Sequence, residues 1–158
     1  MNADKENFLR NSLIPLLQKI PTGTRPLWGK MTFQQMVEHM AEYTRIASGK
    51  IPYVDIITPP ESLERMRNFL VSDKPFRENT PNPLMPEVPA PVKNPSLEDA
   101  IKELKTELDY FFDVFEKNNL QVTRNPFFGD LNFEQNVQLL HKHAVHHLKQ
   151  FGVGGGGQ

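Results

Sequence analysis

Four stretches of the chain place apolar residues at three- and four-residue spacing, the period of a helix with one buried face. The first runs from about Asp4 to Ile20, with Phe8, Leu9, Leu13, Leu16 and Leu17 inward and Pro15 predicting a kink or a break. The second starts at Thr32, whose hydroxyl can cap while Gln35 reaches back as a capping box. Its stripe is Phe33, Met36, Val37, Met40, Tyr43, Thr44 and Ala47, and Gly49 ends it. The third follows Ser96, runs to about Lys117, and buries Leu97, Ile101, Leu104, Leu108, Phe111, Phe112 and Phe115. The fourth is capped by Asn132 and runs to about Gln150.

Ten of the fourteen prolines lie between Pro52 and Pro95, so the link from the second helix to the third is the irregular part of the chain. A short helix from Glu61 to Val71 interrupts it, and Ser72 to Pro95 reads as an extended loop packed on the bundle. Asn125-Pro126-Phe127-Phe128-Gly129 reads as a loop before the last helix. With no convincing strand pattern, the expected fold is all-α: a four-helix bundle with a proline-rich insert between helices 2 and 3. Residues 1–151 form the expected single domain, and the glycine run in 152–158 a flexible tail.

At 158 residues, one domain of this size buries enough core to be stable alone. Lys and Arg number 18 against 19 Asp and Glu, a balance that supplies no electrostatic reason for a nucleic-acid partner. No stretch approaches the roughly 18–20 apolar residues of a membrane span, and the polar segment Met1 to Asn7 does not resemble a secretory signal. A cytoplasmic location is the resulting expectation. The absence of cysteine removes disulfides, thiolate metal sites and a cysteine nucleophile.

The five histidines lie on two predicted helices, His39 on the second and His141, His143, His146 and His147 on the fourth. A helix advances about 100° per residue. Taking Phe133 as the centre of the apolar stripe, His147 lies about 40° from it and His143 about 80° away on the same side. His141 lies about 80° away on the opposite shoulder, and His146, about 140° away, is expected to face water. His143 and His147 therefore form an i, i+4 pair able to hold one ion, and His39, beside Met36 and Tyr43, can add a third imidazole across the helix interface. A lone inward histidine is more often a hydrogen-bonded core residue; the pair is the stronger signal. Three histidines leave coordination positions open, as catalytic sites do. Glu38, Glu42 and Tyr43 are near enough in sequence to support His39, although surface or core roles are the simpler reading for each. Trp28 reads as a packing anchor before the second helix.

The segment from Leu27-Trp28-Gly29-Lys30 through His39-Met40, then Phe127-Phe128-Gly129-Asp130-Leu131, then His143-Ala144-Val145-His146-His147-Leu148-Lys149-Gln150-Phe151-Gly152, resembles the DinB/YfiT-like superfamily. The resemblance implies a four-helix bundle, often a homodimer, with a metal on three histidines matching His39, His143 and His147; imidazole ligands suit a divalent Zn, Ni, Fe or Mn ion, and which one is open. It also implies a small-molecule substrate and metal-dependent chemistry: thiol S-transfer with a low-molecular-weight thiol such as bacillithiol or mycothiol, a thiol-dependent maleylpyruvate isomerisation, or hydrolysis. Some relatives carry His-Pro before the last helix where this chain has Asn125-Pro126, and the enlarged proline-rich insert is a second departure. Two alternatives stand beside the enzyme reading: a non-catalytic, metal-stabilised bundle acting through dimerisation or a partner, and a metal-free bundle whose inward histidines pair with each other.

Overall fold

The computed structural model describes residues 2–78 and 88–153. Its first helical rod has three parts: α1 (Asn2–Asn7), a π turn (Phe8–Ser12) and α2 (Leu13–Lys19). In the π turn the Leu13 amide donates to the Phe8 carbonyl, five residues back. Pro15 lacks an N–H, and its ring needs the space where the carbonyl four residues earlier would stand. The wider turn just upstream makes that room, so the predicted kink or break takes the form of a local change of pitch.

The remaining elements are α3 (Phe33–Ser48), α4 (Pro60–Val71), α5 (Leu97–Lys117), strands β1 (Thr123–Asn125) and β2 (Gly129–Leu131), and α6 (Phe133–Gln150). Both N-terminal capping signals act as local chemistry dictates. Thr32 and Gln35 form a reciprocal capping box on α3, and Asn132 and Gln135 form another on α6. Gly49 ends α3 in the left-handed conformation, with φ 84°. Gly152 and Val153, expected in the loose tail, instead finish α6. The amide of Val153 donates to the Leu148 carbonyl and that of Gly152 to Lys149, the pattern of a Schellman cap. Residues 154–158 lie outside the described residues, as does the 79–87 part of the predicted extended loop.

Helix α5 packs along α3 and also meets α2, while α1 and α3 pack against α6. The main core joins Leu9, Leu13 and Leu17 to Met36, Val37 and Met40, Leu104, Leu108 and Phe111, and Val137, Leu140 and Leu148. The mostly helical, bundled architecture is the expected one. An ionic network ties α3 to α5: Arg45 bridges Glu103 and Glu107, and Lys50 donates to Glu107 at 2.7 Å.

One correction concerns the loop before α6. It is a small antiparallel hairpin in which Thr123 faces Leu131 and Asn125 faces Gly129. Asn125 is buried, and its Oδ1 accepts from the amides of Phe127 and Phe128 at 2.8 and 3.1 Å, so the side chain builds the turn.

A second layer was not visible in the periodicity. Leu70, Phe128, Leu131 and Leu139 form a separate small core with Met66, Phe69, Phe76 and Phe127 packed on it. Helix α6 is thus covered on two sides, by the bundle and by α4 with its following loop. Lys142, opposite the bundle-facing stripe, is 8 % exposed. Its Nζ donates to the carbonyls of Ser72 (2.9 Å) and Lys74 and lies 4.5 Å from the centre of the Phe69 ring.

Candidate metal centre

His39 lies in the second turn of α3, and His143 and His147 lie one turn apart in the C-terminal half of α6. Because α3 and α6 are packed neighbours, the three side chains meet. Nε2 of His143 is 3.1 Å from Nε2 of His39 and 2.9 Å from Nε2 of His147. One ring nitrogen from each residue falls within 4.8 Å of the others. His147 is buried, whereas His39 and His143 keep some exposed surface, so the cluster lies at the edge of the core.

Burial pushes the titration of all three rings down, His39 to about 4 and His143 and His147 well below the ordinary histidine value. All three are neutral at pH 7, the form that binds metal. A neutral imidazole has one ring proton and one lone pair. Two close nitrogen contacts converge on His143 Nε2. A single proton there cannot point at both neighbours, and a single lone pair cannot accept from both. A shared cation satisfies all three nitrogens at once. Nitrogen ligands about 2.0–2.1 Å from one ion lie roughly 3.0–3.4 Å apart, close to the two separations made by His143, and the His39 and His147 nitrogens lie within 4.8 Å of each other. The donor set therefore fits a divalent ion of the zinc, nickel, iron or manganese class.

A DinB superfamily model matches residues 9–151, most of the chain. The chain belongs to the DinB superfamily. No curated protein and no solved structure matches it.

Around the three-histidine cluster, Tyr43 meets His39 edge-on and His143 at a tilt, with ring centres 4.7 Å from each. Phe76, from the loop after α4, stands 6.4 Å from His143. The two glutamates singled out beside His39 in sequence act elsewhere. Glu38 accepts from the amides of Lys93 and Asn94 at 2.8 and 2.9 Å and from the Asn94 side chain at 3.0 Å. Burial raises its pKa, but these hydrogen bonds outweigh that and hold it low. Glu42 is exposed and lies 3.9 Å from Lys93.

His146 corrects an expectation. Instead of facing water it is partly buried, with Trp28 at 5.5 Å and Phe76 at 5.9 Å between ring centres. The second layer over α6 covers the side assigned to solvent. His141 takes the opposite shoulder and packs edge-on against Phe8 at 5.2 Å. Trp28 is an anchor, as expected, but its partner is α6.

The residue that sequence reading missed is Gln150. Its Oε1 is 2.7 Å from Nδ1 of His147, and its Nε2 donates to the Trp28 carbonyl at 2.9 Å. A usable signal was present: position 150 follows 147 by three residues on one helix face.

Two surface hollows, of about 770 and 450 Å³, lie apart from the histidines. The first is lined by Glu6, Arg10 and Phe133 among others, the second by Leu63, Arg67 and Gln135. Among the described residues, no helix is long and apolar enough to cross a membrane.

Proposed function

We propose that His39, His143 and His147 bind one divalent metal ion and that the protein is a metal-dependent enzyme acting on a small molecule. Convergence of three neutral ring nitrogens at 2.9 and 3.1 Å, on the partly exposed edge of the core, carries this reading. Three protein ligands leave positions open for substrate or water. When bound, such an ion lowers the pKa of a coordinated thiol from about 8.5, or of coordinated water, toward neutrality.

The chain has no cysteine, so a thiol nucleophile would come from a low-molecular-weight thiol. Thiol S-transfer and hydrolysis are the two reaction types proposed. The roles of this chain's own residues are concrete: His39 brings one ligand from α3, while α6 presents the other two at fixed spacing. Tyr43 and Phe76 place aromatic ring surface beside His143, 4.7 and 6.4 Å between ring centres. The proposal includes a homodimer, as the superfamily resemblance implies, which light scattering of the purified chain tests.

The burial of His147 and the aromatic rings around the cluster also favour a second reading, in which the ion holds α3 to α6 and has no catalytic role. One experiment separates them. Protein purified without a nickel column is assayed for metal content and then for S-transfer and hydrolysis with a panel of low-molecular-weight thiols and esters. Metal with turnover that is lost in His143→Ala supports the enzyme. Metal that raises the melting temperature, with no turnover, supports the structural role.

A further inference from the structure

We propose that Gln150 is a positioning residue that fixes the tautomer of His147, and that the Trp28–Gly29 turn controls it. The reasoning follows hydrogen-bond polarity along a chain of three groups. The Trp28 carbonyl is only an acceptor, so the nitrogen of the Gln150 carboxamide must face it, as the 2.9 Å contact places it. This leaves Gln150 Oε1, also only an acceptor, 2.7 Å from Nδ1 of His147. Nδ1 must then carry the ring proton, and Nε2 presents its bare lone pair to the cluster.

The geometry around this relay is tightly set. Gln150 is 3 % exposed, and its own carbonyl accepts from the Leu27 amide at 2.7 Å, so the turn and the end of α6 are joined twice. Gly29 has φ +79°, and a Cβ added there would stand 2.9 Å from Gln150 Nε2. A methyl group at position 29 would therefore push on the carboxamide, the only group within 4 Å of it, and meet no histidine. Glycine is required twice at this position, for its backbone conformation and for the space. The turn before α3 thereby acts on ligand orientation in α6.

The effect on affinity rests on the metal reading, whereas the tautomer assignment stands without it. The experiment uses the full chain. In the metal-free wild type, long-range ¹⁵N–¹H correlation of the imidazoles is expected to show His147 protonated on Nδ1. Gln150→Leu, of similar bulk but without hydrogen bonds, is expected to give a mixture of tautomers. Its zinc affinity, measured by competition with a chromophoric chelator, is expected to fall about 10–100-fold. Gly29→Ala, which retains every polar group of the relay, is expected to weaken zinc binding in the same direction, and it carries the affinity test should Gln150→Leu fail to fold. His147 protonated on Nε2 in the metal-free wild type overturns the proposal, as does wild-type zinc affinity in a folded Gln150→Leu protein. Wild-type affinity in Gly29→Ala overturns the link to the turn. A wild type that binds no zinc refutes the metal reading, and the tautomer spectrum still decides this one.

Discussion

Lys142→Met tests whether the second layer is held onto α6 by a buried ammonium group. Methionine keeps most of the side-chain volume and removes the charge, so packing is nearly constant while three polar interactions disappear. Two are charge-assisted hydrogen bonds to the carbonyls of Ser72 and Lys74, each worth about 1.5–3 kcal/mol. The third is the cation–π contact with Phe69, about 0.5–1 kcal/mol. Against them stands the cost of keeping an ammonium out of water, several kcal/mol in a buried site. That cost is visible in the lysine itself, whose pKa burial pushes below its usual value. The loop carbonyls lie near the surface and regain water when the lysine is gone. The expected net loss is about 1–2 kcal/mol in urea denaturation, at unchanged slope. Hydrogen exchange should locate the loss. Amides of residues 72–78 should exchange faster in the variant while those of α5 keep their protection. A variant as stable as the wild type, with unchanged exchange at 72–78, would refute the reasoning.

Phe111→Ala removes a fully buried ring that meets Phe112 at 5.1 Å, Phe115 at 5.2 Å and Phe133 at 5.9 Å; a loss of about 3–5 kcal/mol in chemical denaturation is expected. Acid should destabilise the metal-free protein. Buried neutral histidines take up protons in the unfolded chain from about pH 6.5, while folded His39 does so at about 4, so stability falls as pH drops through that window. At about 1.4 kcal/mol per pH unit, His39 alone contributes roughly 3 kcal/mol of that loss, measurable by denaturation at stepped pH. Zinc at a hundred times its dissociation constant should stabilise the wild type by about 2.7 kcal/mol, read as a rise in melting temperature, and His147→Ala should abolish the rise.

Much of this architecture follows from local signals. Thr32 with Gln35, Asn132 at the start of α6, and Gly49 at the end of α3 act where short-range chemistry places them. The inward pair His143 and His147 follows from helical phase alone, and the meeting with His39 from the adjacency of α3 and α6. What escaped on α6 has a common cause. A single apolar stripe assigns each helix one packing partner, and α6 has two. Leu139, Lys142 and His146 lie off the stripe that contains Val137 and Leu140, yet the α4 layer covers them. Residues after α4 have no helical period, so nothing in their pattern announces that Phe76 reaches His143. The hairpin strands are three residues each, too short for alternation to register. The π turn is the reverse case: Pro15 announced a disturbance, but its form depended on the neighbouring helices that keep the rod in place.

X-ray absorption at the metal edge of the zinc-loaded protein tests the central claim most directly. One ion per chain is expected, with a nitrogen and oxygen shell at about 2.0–2.1 Å and multiple scattering from three imidazoles, reduced to two in His39→Ala. A shell without imidazole scattering, or one unchanged by removing His39, would contradict the assignment.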